Sequence, residues 1–153
     1  MPARSAGVLA FRRTARGIEV LLVHPGGPFW RNKDFGAWSI PKGEFGADEQ
    51  AEDVARREFA EELGTKLTVP LVPLGEIKQR GGKRVEAFAA EIDLDAGAII
   101  SNEFELEWPP RSGRMQRFPE VDRAAWFDLA EARRRINPAQ AALLDRLAEI
   151  GGR

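Results

Sequence analysis

The chain opens with two mostly apolar runs, Ser5 to Thr14 and Ile18 to His24, joined around Ala15-Arg16-Gly17. Both have strand length, and a short connection with a Gly able to take φ > 0 predicts a hairpin. The second run, IEVLLVH, is nearly continuous, the pattern of a strand buried on both faces, and it ends on His24, expected as a packed or hydrogen-bonded residue. Trp38-Ser39-Ile40 predicts a short strand that Pro41 stops. Helical periodicity then takes over from about Glu49 to Leu63. Asp48 is placed to be its N-cap and Gly64 to close it. Val72 to Arg80 and Lys83 to Ile92 predict a second hairpin about Gly81-Gly82. From Glu103 to Trp108 the alternation is strict, setting Glu103, Glu105 and Glu107 on one face and Phe104, Leu106 and Trp108 on the other. Pro109 to Gly113 predicts a turn, and Arg123 to Phe127 a short strand. Asp128 caps a helix to about Ile136, and Asn137-Pro138 starts a last helix to about Ile150. Leu143, Leu144, Leu147 and Ile150 form that helix's apolar stripe. Strand hairpins mixed with three helices predict a mixed α/β or α+β fold. No repeat, low-complexity run or linker interrupts it, so one domain over residues 1–153 is expected.

The helix around residues 49–63 breaks the usual rule for charge. On its wheel Ala51, Val54 and Ala55 make one stripe, with Phe59 and Leu63 on the neighbouring arc. Glu58 and Glu62 fall back on the same stripe, and Glu61 lies on its flank. Residues three and four apart are neighbours on a helix, and like charges placed that way repel. Carboxylates aimed inward from one face require a cationic partner, and clustered hard oxygen donors suit Mg²⁺ or Mn²⁺.

Composition removes most rival chemistries. The 153 residues are 43% hydrophobic, enough to bury a core. The absence of Cys excludes disulfides, thiolate metal sites and cysteine nucleophiles. A single His24 removes most histidine-based metal and triad schemes. A net charge of -1 gives no broad basic field, so neither DNA nor a membrane is an expected partner. The start, MPARSAGVLAFRR, is not expected to be a signal peptide, because Arg12 and Arg13 cut its apolar run short. No stretch approaches the ~20 apolar residues of a membrane span, and a cytoplasmic protein is expected.

Two loops carry candidate binding residues. PGGPFWRNKDFGAW holds Phe29, Trp30, Phe35 and Trp38, which either anchor the loop on the core or stack on a ligand base. Around the turn at 109–113, Arg111, Arg114 and Arg117 make either an ordinary surface loop or one that reads phosphate.

The spacing of the fixed residues adds what the wheel cannot. Gly43, five residues, Glu49, seven residues, Arg57-Glu58-Phe59, one residue, Glu61-Glu62, one residue, Gly64 resembles the Nudix box, Gly-x5-Glu-x7-Arg-Glu-U-x-Glu-Glu-x-Gly-U, where U is a large aliphatic. Phe59 and Thr65 depart from U, and neither touches the chemistry. The order hairpin, loop, box, hairpin, Trp-Phe strand, helix is similar to the whole Nudix domain. The resemblance implies an α/β/α sandwich, a mixed sheet with flanking helices and a loop–helix–loop box. It also implies hydrolysis, with Mg²⁺ or Mn²⁺, of a nucleoside diphosphate linked to another group. By resemblance Glu58 and Glu62 are metal ligands, with Glu61 next, joined by backbone oxygen at Lys42-Gly43. Glu49 and Arg57 pair as structural support. Family members often add a Glu before the late Trp-containing strand, which points to Glu120 as a further ligand or catalytic base. Glu58, Glu61 and Glu120 all remain candidates for that base. Trp38-Ser-Ile-Pro-Lys-Gly-Glu44 is similar to the lead-in of the dinucleoside and diphosphoinositol polyphosphate hydrolase branches. The expected substrate is therefore a nucleoside or dinucleoside polyphosphate, with Lys42, Arg111, Arg114 and Trp30 as substrate-binding residues. The alternative is a Nudix-fold nucleotide-binding or regulatory module without catalysis.

Overall fold

A computed structural model describes residues 3–151; residues 1–2 and 152–153 of the expected domain lie outside the described residues. The strands are β1 (Arg4–Thr14), β2 (Gly17–Pro25), β3 (Lys42–Phe45), β4 (Val72–Lys78), β5 (Arg84–Glu91), β6 (Glu103–Glu107), β7 (Met115–Pro119) and β8 (Val121–Asp128). The helices are α1 (Ala51–Leu63), α2 (Leu129–Arg135) and α3 (Ala141–Gly151).

The main sheet runs β4-β5-β1-β2-β8, with β3 also paired to β1. Only β1 and β5 run parallel, so the sheet is mixed. Alternation in β1 and β2 explains the layers. Ala6, Val8, Ala10, Leu21 and Val23 pack on Val54, Ala55, Phe59 and Leu63 of α1. Leu9, Phe11, Val20 and Leu22 belong to the opposite core with Leu143, Leu144 and Leu147 of α3. Both faces of the central hairpin are thus covered, as the continuous apolar run of β2 requires. Phe59 is fully buried, so the aromatic at that position keeps its anchoring role. A buried side chain of this kind contributes roughly 1.5–3 kcal/mol.

Several boundaries differ from the sequence expectation. The helix starts at Ala51 rather than Glu49, and its N-cap is Gln50, not Asp48. Glu49 instead folds its carboxylate back onto the Gly46 amide at 3.1 Å, closing the preceding loop. Gly64 does close α1, in the left-handed conformation at φ 75°. Trp38 to Ile40 make two isolated bridges, to Val23 and Ile136, instead of a strand. Strands β3 and β7 were not foreseen, because four or five residues without alternation carry no periodic signal. The last helix begins as a 3₁₀ turn at Pro138–Gln140, capped by Asn137 as expected. Ile150 is 39% exposed and leaves the apolar stripe to the three leucines and Gly151. On the outer strand, Arg146 of α3 donates to the carbonyls of Leu74 (3.0 Å) and Glu76 (3.1 Å) in β4.

The aromatic loop between β2 and β3 is fastened at both ends. His24 is fully buried, with Nδ1 2.9 Å from Asp122 Oδ1 of β8 and Nε2 2.6 Å from the Lys33 carbonyl. At the far end the Trp38 indole N–H donates to Asp34 (2.8 Å), which also accepts from Arg135 (2.6 and 2.8 Å). The Trp38 N–H, with Arg135, holds the Asp34 carboxyl below its ordinary pKa. The anchoring reading holds for one of the four aromatics. Trp38 is buried and anchors it, whereas Phe29, Trp30 and Phe35 stay 58%, 38% and 62% exposed. Phe29 meets Trp108 edge to face at 5.4 Å, joining the loop to the end of β6. No helix among the described residues is long and apolar enough to cross a membrane.

Candidate active site

Three segments meet over the C-terminal half of α1. The first is β3, held against β1 by the register Ser5↔Glu44, Ala6↔Gly43, Gly7↔Lys42. Strand alternation puts Lys42 and Glu44 on one face and Gly43 on the other. Gly43 is there for proximity, since a Cβ on it would overlap the Glu58 carboxylate. The second is α1, presenting Glu58, Glu61 and Glu62. The third is the segment Ile100–Asn102, which is stitched to the end of the helix. Ile100 N–H donates to the Leu63 carbonyl (3.1 Å) and Asn102 N–H to the Glu61 carbonyl (2.9 Å). The Asn102 carbonyl in turn accepts from Glu120 N–H (2.8 Å), and the Glu120 carbonyl accepts from Gly26 N–H (2.9 Å). Gly26 needs its missing side chain, because a Cβ there would run into the Pro119 carbonyl. A relay of backbone hydrogen bonds therefore carries Glu120, in the bend between β7 and β8, to the helix carboxylates from 58 residues along the chain from Glu62.

The result is an open cavity of about 360 Å³. Its walls bear the carboxylates of Glu44, Glu58, Glu61, Glu62 and Glu120, with Lys42, Gly43 and Asn102. The electrostatics follow from that crowding. Burial, then Glu58 and Glu120, push Glu62 up to about 8, against the pull of the Lys42 ammonium. Burial, then its contact with Glu61, raises Glu58 to about 7. Lys42 is itself lowered by burial, with Glu62 the largest opposing influence. Anionic forms are thus disfavoured until a cation arrives. Among the described residues no three or more His, Asp or Glu side chains stand close enough together to hold a metal ion between them. Carboxylate oxygens are the donors that hard divalent ions such as Mg²⁺ or Mn²⁺ take, a few from protein with water and phosphate oxygen completing the shell. Glu58 and Glu62 would hold such an ion.

Glu49 and Arg57 sit behind this wall. Arg57 Nη1 donates to Glu49 at 2.7 Å, and Arg57 Nε lies 4.0 Å from Glu61. Arg57, and the Gly46 amide after it, hold the Glu49 carboxyl below its ordinary pKa. The pair therefore spans loop and helix and steadies the row of carboxylates on α1. Both side chains are exposed, so their worth to stability is small. Glu49→Gln is expected to lower turnover a few-fold with little change in melting temperature, checked by steady-state kinetics beside a thermal melt.

Of the residues singled out from sequence, Lys42, Gly43, Glu58, Glu61, Glu62 and Glu120 come together. Arg111, Arg114 and Trp30 do not reach the cavity wall. Strands β6 and β7 form a separate two-stranded arm whose base, Glu103↔Pro119, adjoins Asn102 and Glu120. Five residues at about 3.4 Å each put its tip, with Arg111 and Arg114, on the order of 17 Å away. Trp30 lies beside Phe29 near that tip, under the Lys33 ammonium at 5.1 Å. Glu103, Glu105 and Glu107 line the exposed face of the arm, with Arg117 3.5 Å from Glu105. Sequence reasoning missed Glu44 and Asn102. The i, i+2 relation of Lys42 to Glu44 would have found the first once β3 was known.

The NUDIX domain family model matches residues 1–147. Among solved structures, a Caenorhabditis elegans Ap4A hydrolase binary complex is 20% identical with a TM-score of 0.68, covering 95% of this chain and 96% of that one. A mutT/nudix family protein from Listeria innocua is 18% identical, TM-score 0.64, over 98% and 94% of the two chains. The NUDIX domain of Shewanella oneidensis NrtR, complexed with ADP ribose, is 17% identical, TM-score 0.59, over 98% and 88%. At such identities the likeness is one of fold. No curated protein matches the sequence.

Proposed function

We infer the reaction from one premise: the chain belongs to the Nudix family. A Nudix domain carrying every glutamate of its box is a pyrophosphohydrolase acting on phosphorus-containing anhydrides. The finer reading is that this chain cleaves a phosphoanhydride of a nucleoside or dinucleoside polyphosphate by attack of water at phosphorus. The observation that supports it is the convergence of α1, β3 and Glu120 on one cavity that holds five carboxylates and a single lysine. When bound here, Mg²⁺ or Mn²⁺ would neutralise charge on the phosphoryl oxygens. Glu58 and Glu62 would hold the ion, and the bare Gly43 leaves room for the Glu58 carboxylate beside β3. The Lys42 ammonium binds a phosphoryl oxygen as a point charge. Glu120 enters from the bend between β7 and β8 rather than from the helix, so it can take the proton of a water from a different side than the α1 row. Glu58 and Glu61 are the other acids within the cavity able to do so. The likeness in fold to the Caenorhabditis elegans Ap4A hydrolase and the Pro-Lys-Gly lead-in together support a polyphosphate chain. In Arg111, Arg114 and Trp30 the arm and loop offer cationic and aromatic contacts to whatever the chain carries beyond the cavity.

The test is a panel of nucleoside polyphosphates, dinucleoside polyphosphates, nucleotide sugars and inositol pyrophosphates, with Mg²⁺, Mn²⁺ or chelator. Cleavage that needs the ion is expected, fastest on polyphosphates. Glu120→Gln is expected to lose at least a hundredfold in turnover, while Glu105→Gln on the arm stays within twofold. Ligand binding without cleavage of any compound would replace hydrolysis with a nucleotide-binding module.

A further inference from the structure

Seven of the eight residues round the cavity have roles in the reading above or are acids that crowd it; Asn102 has none. Its backbone belongs to the fold. The N–H donates to the Glu61 carbonyl, and the carbonyl accepts from Glu120 N–H and from the Ser101 hydroxyl (2.9 Å). Its side-chain amide makes no hydrogen bond to any described residue, although the residue lines a cavity crowded with acceptors. Those acceptors are carboxylates, which repel a polyanionic substrate. Side-chain N–H donors on the wall come from two residues alone, Lys42 and Asn102.

The two donors stand at different ends. Lys42 answers chiefly to Glu62, then to Glu44 and Glu58. Asn102 is pinned beyond them, at the last turn of α1, between Glu61 and Glu120. We propose that Asn102 is a substrate-binding residue whose amide donates to a phosphoryl oxygen at the Glu61–Glu120 end of the cavity. With Lys42 gripping another phosphoryl oxygen at the Glu62 end, the phosphate chain lies along the carboxylate row rather than projecting out of it. A neutral amide suits that place, because it binds an anion without drawing off a carboxylate, as a second ammonium would. The inference rests on the phosphoanhydride reading and deepens it: the ligand is a chain with phosphoryl oxygens on both sides of the scissile phosphorus.

Inorganic tripolyphosphate, titrated into the protein with Mn²⁺, is the probe, alongside Mn²⁺ alone and thermal melts. Asn102→Ala is expected to keep its melting temperature, since the side chain serves no contact of the fold, and to keep its affinity for Mn²⁺. Its affinity for tripolyphosphate falls about tenfold, the loss of one hydrogen bond to a charged acceptor. KM rises by a similar factor on any polyphosphate that is cleaved, with turnover changed far less. Asn102→Asp, the same size with a charge in place of two donors, weakens binding further, and Asn102→Ser falls between wild type and Ala. Unchanged tripolyphosphate affinity in Asn102→Ala overturns the assignment, as does a parallel loss of Mn²⁺ affinity. If the wild-type protein itself binds no tripolyphosphate with Mn²⁺, the phosphoanhydride reading falls first, and this inference with it.

Discussion

Glu62→Gln is expected to abolish metal-dependent hydrolysis, by at least a hundredfold in turnover, while making the metal-free protein more stable. The two effects share a cause. In the folded chain burial and its acidic neighbours raise the Glu62 carboxyl to about 8, from an ordinary 4.5. A raised pKa means that the folded state binds the proton more tightly than the unfolded one. Stability from that group is therefore complete below about pH 4.5 and is lost as pH rises through 8. Glu58, raised to about 7, pushes in the same direction. The metal-free wild-type protein should melt at a lower temperature at pH 9 than at pH 5, with a cost on the order of a few kcal/mol at the alkaline end. A glutamine keeps the shape and removes the ionisation, so most of that slope disappears. Mn²⁺ should restore the wild-type melting temperature at high pH and leave Glu62→Gln nearly unmoved. Melts from pH 5 to 9 with and without Mn²⁺ read all of this. Full activity and undiminished Mn²⁺ stabilisation in Glu62→Gln would remove Glu62 from the ligand set.

Gly43→Ala is expected to cost about as much, for a steric reason. The new methyl group would occupy the space in which the Glu58 carboxylate now lies. Either β3 moves away from α1 or Glu58 swings out of the row, and a displacement of about 1 Å at a catalytic group can cost roughly a hundredfold. Gly46→Ala is the matched control three residues on. Its Cβ would meet only the Asp48 carboxylate, an exposed and movable neighbour, at 3.2 Å. Gly46→Ala should stay within twofold of wild type, and Gly43→Ala should lose both turnover and Mn²⁺ affinity while remaining folded by circular dichroism. Equal activities for the two variants would mean that the approach of β3 to Glu58 is not required.

The parts of the molecule legible beforehand are those whose information is periodic. The wheel that set Glu58 and Glu62 among apolar residues told which way α1 faces, and the nearly continuous apolar run of β2 told that this strand is covered on both sides. What could not be read depends on partners. Strand β3 exists because β1 offers it an edge, and its Lys42, Gly43 and Glu44 show no pattern alone. Met115 to Pro119 became a strand by pairing with β6, which is why Arg111 and Arg114 were read as a loop near the site and instead crown an arm leading away from it. Asn102 was invisible for a further reason. Its place is fixed through its own peptide groups, which any residue type possesses, so only its position in space shows that the side chain is available. Glu120 was reachable through the family resemblance, yet Gly26, whose missing Cβ leaves room for the Pro119 carbonyl beside it, gave no sign of that duty.

Arg146 has a meaning outside the site. An outermost strand whose carbonyls point into solvent is a template on which another chain can build, the first step towards ordered aggregates. By engaging the Leu74 and Glu76 carbonyls, this one guanidinium occupies two acceptors that an incoming strand would need. The bulge between Pro73 and Gly75 bends the same edge out of line. A protein made at high concentration would thus owe part of its persistence as separate molecules to a side chain that takes no part in its reaction.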